Sequence, residues 1–548
     1  MPKTTANPAP VHYEVAAANL QAHLFQVTLT IAQPQAQQTV SLPVWIPGSY
    51  LVREFAKNLQ NLQARQGKRL VPLHQGDKHS WVAQCREDAP LVLTYEVCAY
   101  DNSVRTAWLD TARGFFNGTS LCLRVHGQEA ARHSLRITAT PATAAWSVAT
   151  GLAPLKTDKK GFGLYGADHY DELVDCPVEM GDFWQGRFTA CGVAHRFVVA
   201  GAAPSFDGER LLADTQKICE TAIRFWHGKG KAPFGSYLFM LNAVHDGYGG
   251  LEHRNSTALI CGRRDLPRVG DKRQSDGYTT LLGLISHEYF HTWNVKRLRP
   301  AEFATYDYDQ ENYTQLLWFF EGFTSYYDDL LLRRAGLIDD ATYLRLITKT
   351  INQVLQTPGR KVQTVAQASF DAWVKYYRQD ENTPNATVSY YTKGSLVALC
   401  LDLKLRQEGK TTLDDVMRGL WSRCKAGPMA EADLLAVLEQ LAGRPYVRDL
   451  QQWVHSTGEL PLAELLAAHG VTVKSEPAQL AQRLGLRVAE NHSVQIKTVL
   501  RGGAAEKAGL APGDEWLGVQ VKGQGWRISK LDDVGFYAGS QKQLTAVV

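Results

Sequence analysis

The residues that decide the fold are Thr279–Val295, TTLLGLISHEYFHTWNV, in which His287 and His291 stand four positions apart and Glu288 follows the first histidine. The stretch contains no proline and a single glycine, and its apolar content predicts a partly buried helix. On a helix, residues i and i+4 lie about 40° apart around the axis and about 6 Å apart along it. Both imidazoles can therefore reach one metal ion.

Zinc is the metal that this pair of histidines favours, because zinc takes nitrogen ligands tetrahedrally and has no redox chemistry. The spacing leaves Glu288 beside the metal rather than on it, where a carboxylate can take a proton from an activated water. Two unrelated histidines spaced by four through chance are the alternative. The pattern with its glutamate is rare enough to favour a metal site with catalytic chemistry.

A catalytic zinc site needs a third protein ligand and leaves one position open for water. The downstream candidates are Glu302 in a loop, Glu311 before a helix start and Glu321 inside the apolar helical stretch Leu316–Tyr327. A carboxylate in such a stretch is costly to bury unless it is paired or binds a metal, which favours Glu321. A glutamate on the exposed face of an amphipathic helix is the alternative.

A glycine-rich segment, Gly247–Asn255, follows a predicted strand at Tyr237–Asn242. Gly249 and Gly250 permit a peptide substrate to approach the backbone of an edge strand closely. Glu252 is then placed to bind a free α-amine. A simple glycine-rich hairpin is the alternative.

A pair of tyrosines, Tyr390 and Tyr391, stands in Ser389–Gly394 just before a predicted helix. A tyrosine hydroxyl near a metal can donate to the oxyanion of a tetrahedral intermediate. Adjacent tyrosines are also common packing residues, so the pattern alone leaves both roles open.

Other polar residues near these motifs are given structural roles. His245 and His253 are predicted to lie at the surface or behind the site rather than on the metal. The basic run Lys296–Arg299 is predicted to mark the C-terminal end of the metal-binding helix, where cations are favoured, rather than a nucleic-acid patch.

The composition is that of a globular protein: of 548 residues, 45% are apolar and 21% are charged. The length predicts three or four domains. The net charge of +4 is small for this length and argues against nucleic-acid binding or a polybasic membrane protein. Nine cysteines without a CxxC pair predict reduced thiols in the cytoplasm. A periplasmic protein is the alternative, if a leader that this sequence does not show has been removed.

Three regions are predicted from the hydrophobic patterns. Residues 1–185 alternate apolar and polar positions, as in Phe25–Ile31, which predicts an all-β domain. Residues 186–465 begin with strands and become mainly helical. Residues 466–548 are again short-stranded and glycine-rich. The helical patterns fall at about 279–296, 312–335, 340–357, 394–408 and, in pieces, 413–457.

Several motifs together resemble the glycyl aminopeptidase family of zinc metallopeptidases. These enzymes are gluzincins with a C-terminal PDZ domain, distantly similar to the aminopeptidase N and leukotriene hydrolase family. The likeness extends over nearly the whole chain. The motifs are HEYFHTWNVKRLRP (His287–Pro300), FFEGFTSYY (Phe319–Tyr327), GYGGLEHRNS (Gly247–Ser256), SYYTKGSLVALCLDL (Ser389–Leu403) and, in the family's β domain, PVWIPGSYLVRE (Pro43–Glu54).

The resemblance implies a thermolysin-like core in which His287, His291 and Glu321 bind zinc and Glu288 is the general base. In the aminopeptidase N relatives, the third ligand follows the second histidine by nineteen positions, which is Gln310 here. Glu321 comes eleven residues later, an interval that fits the glycyl aminopeptidase branch.

The resemblance also implies roles for the other two motifs. The relatives' Gly-x-Met-Glu-Asn segment binds the free amine of the substrate. Its counterpart, Gly249–His253, keeps the glutamate as Glu252 and has His253 in place of asparagine. The relatives' Tyr-x-Lys-Gly tyrosine assists catalysis and matches Tyr391, with Tyr390 as the nearby rival.

Two segments near the end of the chain, Leu484–Val488 and Gly502–Asp514, resemble a bacterial-type PDZ domain. The first would be its carboxylate-binding loop, which implies a C-terminal peptide as a partner. A domain that only packs on the catalytic region is the alternative. A PDZ domain usually has a further strand after an end such as Leu544–Val548, so we expect either that the natural protein is longer or that the domain is incomplete.

The sequence and the resemblance together predict a multidomain zinc aminopeptidase with one Zn²⁺ per chain. Its substrates are expected to be peptides with a free N-terminus and, as the family implies, glycine or alanine first; nucleic-acid and membrane partners are not expected. An endopeptidase with the same metal site is one alternative, but it has no use for Glu252. A PDZ-bearing binding or chaperone-like protein is the other, and Glu288 argues against it, because a closed structural site needs four ligands and no base.

Overall fold

The computed structural model describes residues 9–541 and 543–548. These residues form two compact units, which are described separately. The first unit contains residues 9–312, 327–340 and 424–429. The second contains residues 313–326, 341–423 and the described residues from 430 onward.

The first unit begins with a β-rich region, as the alternating patterns predicted. It contains strands β1 (Val11–Asn19), β2 (Leu24–Ile31), β3 (Gln37–Ser41), β4 (Leu59–Gln66), β5 (Arg69–Val71), β6 (Leu73–Gln75), β7 (Ser80–Gln84), β8 (Leu91–Cys98), β9 (Ala107–Leu109), β10 (Arg113–Phe116), β11 (Arg124–Val125), β12 (His133–Thr138), β13 (Ser147–Thr150), β14 (Ala153–Thr157), β15 (Gly163–Ala167) and β16 (Val178–Gly181), with helices α1 (Gly118–Leu121) and α2 (Tyr170–Val174).

Three sheets build this β-rich region. Their strand orders are β14-β15-β12-β1-β2-β8-β4-β5, β13-β16-β10-β9 and β11-β3-β7-β6. In β2 every second residue from Phe25 to Ile31 is buried, which confirms the predicted alternation. β2 pairs antiparallel with β8, with Leu29 opposite Leu93, and the buried faces contribute to one apolar core.

A five-stranded sheet of the first unit carries the glycine-rich segment. Its order is β17-β18-β19-β21-β20, so β20 is an edge strand, and it pairs antiparallel with β21. Glu252 therefore lies at the end of an edge strand, to which a peptide chain can add. The elements are β17 (Trp184–Ala190), β18 (Val193–Ala200), α3 (Gly208–His227), β19 (Ser236–Val244), β20 (Gly249–Glu252) and β21 (Ser256–Gly262).

The predicted metal-binding helix is α4 (Asp276–Phe290). It ends about six residues earlier than the pattern predicted, with His291 at its C-terminal cap. The chain then turns away, because Val295 has a φ of 137°, far outside the helical region.

The basic run Lys296–Arg299 therefore does not mark a helix end, and that prediction is wrong. Both Lys296 and Arg297 are buried. Lys296 Nζ lies 2.7 Å from Oδ1 of Asp175, and Arg297 donates to the carbonyl of Thr292. These partners come from the tertiary structure, which the local pattern does not contain.

The rest of the chain is mainly helical and then short-stranded. The predicted helices near 312–335, 340–357 and 394–408 are confirmed as α5, α6 and α9, and 413–457 is divided into α10, α11 and α12. The elements are β22 (Arg299–Pro300), α5 (Leu317–Arg334), α6 (Asp340–Leu355), α7 (Val365–Phe370), α8 (Thr383–Ala386), α9 (Tyr390–Glu408), α10 (Leu413–Arg423), β23 (Pro428–Met429), α11 (Glu431–Ala442), α12 (Val447–Trp453), α13 (Leu462–Ala468), α14 (Leu480–Leu484), β24 (Leu486–Glu490), β25 (Val494–Val499), α15 (Ala504–Lys507), β26 (Glu515–Trp516), β27 (Gly518–Val521), β28 (Gln524–Arg527), α16 (Leu531–Ala538) and β29 (Thr545–Val547).

Two small sheets form the last part of the second unit, in the orders β24-β25-β26 and β28-β27-β29. They share an apolar core that includes Trp516, to which α16 contributes Val534. The predicted return to short strands is confirmed. Within the described residues, no helix combines the length and the apolar character that a membrane crossing requires.

Candidate active site

His287 and His291 direct their imidazole rings towards each other at the end of α4. Their Nε2 atoms lie 3.0 Å apart. The outer nitrogens have acceptors: Nδ1 of His287 lies 3.0 Å from Oδ2 of Asp328, and Nδ1 of His291 lies 2.8 Å from the carbonyl of Asn294. These acceptors hold the proton on each Nδ1 and turn the Nε2 lone pairs towards a shared point. Facing lone pairs repel unless a cation lies between them, so the pair fits a metal ion.

Asp328, which sequence analysis missed, orients His287. It lies on α5, seven residues after Glu321. Burial raises the pKa of Asp328, and the hydrogen bond from His287 opposes that rise. A carboxylate on the outer nitrogen of a histidine fixes the ring and makes the other nitrogen a stronger ligand. The sequence signal was weak, because acidic residues on a helix are usually solvated.

Glu252 on β20 and Glu288 on α4 meet at His291. One ligand atom from each of these three residues lies within 4.8 Å of the others. Both carboxylates are buried, with exposed fractions of 4% and 5%. Two buried carboxylates this close repel each other, and a cationic group between them relieves the repulsion. The cluster is therefore suited to hold a cation, either a metal ion or an ammonium group.

The two glycines of β20 contact different groups. A Cβ at Gly250 would lie 2.1 Å from Oε1 of Glu288, closer than real Cβ atoms approach. The strand can touch Glu288 only because Gly250 has no side chain. A Cβ at Gly249 would have Nη1 of Arg105 as its nearest neighbour, at an ordinary 3.6 Å.

Gly48, in the loop between β3 and β4, packs directly on the carboxylate of Glu252. A Cβ at Gly48 would lie 2.5 Å from Oε2 of Glu252. Its φ of +92° also favours glycine. The turn is visible in the sequence as Pro47-Gly48-Ser49, but no local signal indicates what it contacts.

An ion pair between buried Lys296 and partly exposed Asp175 lies near Glu252. Asp175 is 2.7 Å from Lys296 and 3.1 Å from Nδ1 of His253. Burial alone would raise the pKa of Asp175, but the charge of Lys296 and the hydrogen bond from His253 hold it well below its ordinary value. Burial opposes the charge of Lys296, yet Asp175 and, more weakly, Glu252 raise its pKa. His253 is thus behind the site and His245 is exposed, as predicted.

In the second unit, Glu321 lies on α5 with an exposed fraction of 2%. Helix α5 crosses α9 where Gly322 meets Gly394, since a Cβ at Gly322 would lie 2.5 Å from the Cα of Gly394. Two glycines at a crossing let the backbones of two helices approach closely. The crossing brings the start of α9 next to Glu321.

Tyr390 and Tyr391 form the first turn of α9, so the prediction that they precede the helix is wrong. The side chain of Ser389 accepts from the backbone N–H of Thr392 and starts the helix earlier than the apolar pattern indicated. Burial and the charge of Glu321 raise the pKa of Tyr391 well above its ordinary value. Its hydroxyl therefore keeps the proton that an oxyanion donor needs.

Tyr376, another residue that sequence analysis missed, packs on this tyrosine pair. Its ring centroid lies 4.8 Å from that of Tyr390 and 5.4 Å from that of Tyr391. Aromatic packing of this kind restricts the rings. Tyr376-Tyr377 was visible in the sequence, but nothing connected it with the later motif.

The other candidate third ligands are placed differently. Glu302 is exposed in a 3₁₀ turn, Ala301–Phe303, and Glu311 is partly exposed in the loop before α5. Within the described part of the chain, neither belongs to a group of three potential metal ligands.

Tyr248 stands just before β20 with 63% of its surface exposed. Although most of the residue is exposed, partial desolvation of its phenol, followed by the charges of Asp328 and Glu288, raises its pKa. The phenol of Tyr248 thus lies in the neighbourhood of the carboxylates of Asp328 and Glu288.

Comparison with protein families and solved structures reveals relatives. Residues 280–397 match the M61 glycyl aminopeptidase family, and residues 12–182 match the peptidase M61 N-terminal domain. An aminopeptidase N family protein from Idiomarina loihiensis, known from a crystal structure, has 40% sequence identity to this chain, and the two structures superpose with a TM-score of 0.89. The match covers 93% of this chain and 89% of that one. The chain belongs to the M61 glycyl aminopeptidase family.

More distant structures share the fold of this M61 family member. An M1 zinc metallopeptidase from Deinococcus radiodurans is 15% identical with a TM-score of 0.52, over 83% of this chain and 95% of that one. A two-domain M1 zinc metallopeptidase bound to L-arginine is also 15% identical, with a TM-score of 0.51 over the same shares. No curated protein matches the chain. Family membership makes this M61 protein a peptide hydrolase.

Proposed function

We propose that the chain is a zinc-dependent aminopeptidase that removes glycine or alanine from peptides with a free N-terminus. The observation that carries the proposal is the cluster of Glu252, Glu288 and His291 within 4.8 Å. An amine held by Glu252 leaves only the first peptide bond within reach of Glu288 and the histidine pair. The preference for a small first residue rests on the family.

The proposed ligands of one zinc ion per chain are His287, His291 and Glu321. The convergent Nε2 atoms support the two histidines. The burial of Glu321, on the helix that also carries Asp328, supports the carboxylate. When bound, zinc polarises the scissile carbonyl and lowers the pKa of water.

The remaining chemical roles in the proposed reaction are assigned to side chains and glycines of the chain itself. Glu288 takes a proton from the attacking water and returns it to the leaving amine. Tyr391, rather than its neighbour Tyr390, donates a hydrogen bond to the oxygen on which negative charge develops. Glu252 accepts from the substrate ammonium. Gly249 and Gly250 let the substrate backbone lie along the edge of β20.

An endopeptidase with the same metal site is the second candidate. The position of Glu252 opposes it, because a carboxylate beside the base suits a substrate ammonium, which an endopeptidase does not bind. A binding or chaperone-like protein is opposed by Glu288, for which a structural metal site has no use.

The deciding experiment compares free and N-acetylated alanyl peptides, with products identified by mass. Acetylation is expected to abolish cleavage. Glu252→Gln is expected to lower kcat/KM on free-amine substrates by about 1.5–3 kcal/mol, the scale of a hydrogen bond to a charged group. Glu302→Gln, at an exposed glutamate, serves as the matched control and should behave as wild type. Internal cleavage of acetylated peptides at a comparable rate would refute the aminopeptidase.

We also propose three domains: an N-terminal β domain at 1–185, a gluzincin catalytic domain at 186–465 and a PDZ-like domain at 466–548. Residues 1–8 and 542 lie outside the described residues. The two small sheets around Trp516 support the last assignment. Leu484–Val488 would then bind the carboxylate of a C-terminal peptide. Equal binding of a labelled peptide acid and its amide to the full chain would contradict this role.

A cytoplasmic location is part of the proposal. None of the nine cysteines, all of which lie in the described part of the chain, is joined in a disulfide, and four of them are partly or fully exposed, at 85, 98, 191 and 424. Free thiols in such positions persist in a reducing compartment. Fractionation of cells that express the native gene would test this location.

A further inference from the structure

Arg105, from the loop between β8 and β9, reaches β20, the edge strand of the five-stranded sheet. Its Nη2 donates to the carbonyl of Gly250 at 3.1 Å. Its Nη1 lies 3.6 Å from the point where a side chain at Gly249 would begin. The β-rich N-terminal region thus places a guanidinium group beside the strand along which a substrate would lie.

The charge of Arg105 is not balanced by a carboxylate. Within the described residues, Arg105 takes part in no salt bridge, and its buried Nε has no hydrogen-bond partner. A guanidinium that is partly withdrawn from water without a counter-ion loses hydration and gains no ion-pair attraction in return. The unused Nε–H and the free charge together favour an anionic ligand.

The order of groups along β20 indicates where an anionic ligand of Arg105 would lie relative to the scissile peptide bond. From the C-terminal end, the strand has Glu252 for the amine, Gly250 against Glu288, and then Gly249 beside Arg105. A substrate that runs antiparallel to β20 therefore presents its second residue to Arg105. Consecutive Cα atoms are about 3.8 Å apart, so the carboxylate of a dipeptide lies within one residue of the scissile bond.

We infer that Arg105 is a specificity-determining residue that binds the free α-carboxylate of short peptides, above all dipeptides. The inference rests on the proposed function and names the substrate class of that site. Longer peptides carry their carboxylate about 3.3–3.6 Å further away for each added residue, so they lose this contact. A bidentate Arg–carboxylate pair would fix the second residue and thereby align the first peptide bond.

A purely structural role is the rival explanation. In that case Arg105 would only tie the N-terminal region to Gly250, and its removal would affect every substrate equally. The two roles differ in whether the effect depends on the carboxylate of the substrate, which provides the test.

The experiment measures kcat and KM of the full chain on Ala-Ala, on Ala-Ala amide and on alanine p-nitroanilide. Wild type is expected to prefer the free acid over the amide by about 10- to 100-fold in kcat/KM, the range of a charged hydrogen bond. Arg105→Gln should remove this preference, mainly through KM, and leave the amide and the nitroanilide within about threefold of wild type. Arg105→Lys should keep part of this preference for the free acid, because lysine carries the positive charge but cannot form the bidentate pair. Arg69→Gln, at an exposed arginine of the same region, is the matched control.

Two results would overturn the inference. The first is equal cleavage of acid and amide by wild type, which needs no variant and holds even if Arg105→Gln does not fold. The second is an equal loss on all three substrates in a folded Arg105→Gln, which would indicate the structural role. In both cases turnover of alanine p-nitroanilide by wild type leaves the proposed aminopeptidase intact. A wild type that cleaves no free-amine substrate would refute the proposed function and this inference with it.

Discussion

Helix α4 and strand β20 contribute the two halves of one cluster, but different contacts hold them. On α4, the spacing of His287 and His291 along one helix brings their Nε2 atoms together. On β20, Gly48 packs on Glu252 and Arg105 donates to the carbonyl of Gly250, and both of these residues come from the β-rich region far earlier in the chain. In the proposed aminopeptidase, chemistry would therefore depend on helix geometry, whereas substrate recognition would depend on contacts between distant segments. The two can therefore be disturbed separately.

Glu288→Gln should disable the α4 half while the β20 half stays intact. The amide is nearly isosteric with the carboxylate but cannot accept a proton. Turnover should fall by about 10²- to 10⁴-fold, the range of general-base catalysis. Zinc analysis of the purified variant should show the same metal content as wild type. Activity within about tenfold of wild type would contradict the role of Glu288.

Asp328→Asn should also impair the α4 half of the cluster, by weakening zinc binding, but less severely than Glu288→Gln impairs turnover. The change removes the negative charge that orients His287 and strengthens its Nε2 as a ligand. Zinc affinity, measured by competition with a chelator, should fall by about 10- to 100-fold. Asp182→Asn, at an exposed position of the first unit, is the matched control. An affinity equal to that of wild type would show that Asp328 does not support the metal.

Gly48→Ala should displace the carboxylate of Glu252 on β20 and leave the histidine pair on α4 unchanged. The added Cβ would collide with Oε2 of Glu252 and move the carboxylate away from the substrate amine. We expect kcat/KM on free-amine substrates to fall by about tenfold, towards the loss for Glu252→Gln, with unchanged zinc content.

Gly67→Ala is the control for this variant. Gly67 also has a positive φ, +57°, but an added Cβ meets nothing within 4 Å. It therefore carries the backbone penalty without the collision. Equal losses of kcat/KM in the two variants would mean that strain, rather than Glu252, is responsible.

Asp175→Asn should have the smallest effect on turnover and a clear effect on stability. It leaves Lys296 as a buried cation without its partner, which typically costs about 3–5 kcal/mol of unfolding free energy. Urea unfolding of the single variant and of Asp175→Asn with Lys296→Met measures this. The double variant should recover part of the loss, because the unpaired charge is then absent. A double variant less stable than the single one would contradict this, since it would show that Lys296 stabilises the fold even without Asp175.

Sequence reasoning succeeded where a backbone period carries the signal. The alternation in Phe25–Ile31 predicted β2, and the apolar stretch around His287 predicted α4. It failed at the end of α4, which was extended to residue 296. There the backbone changes direction at Val295, and Lys296 pairs with Asp175, which lies on a distant segment. Neither feature follows from the local pattern.

By itself, the sequence determined the histidine pair with its adjacent glutamate and the glycine-rich segment that contains Glu252. Helical and strand periods are set within a few residues by backbone geometry, so a short stretch contains them entirely. Only the tertiary structure decided that Gly48 packs on Glu252, that Arg105 donates to the carbonyl of Gly250 and that Asp328 contacts His287. Such contacts join segments far apart in the chain, and they form only when the packing of the whole core brings those segments together.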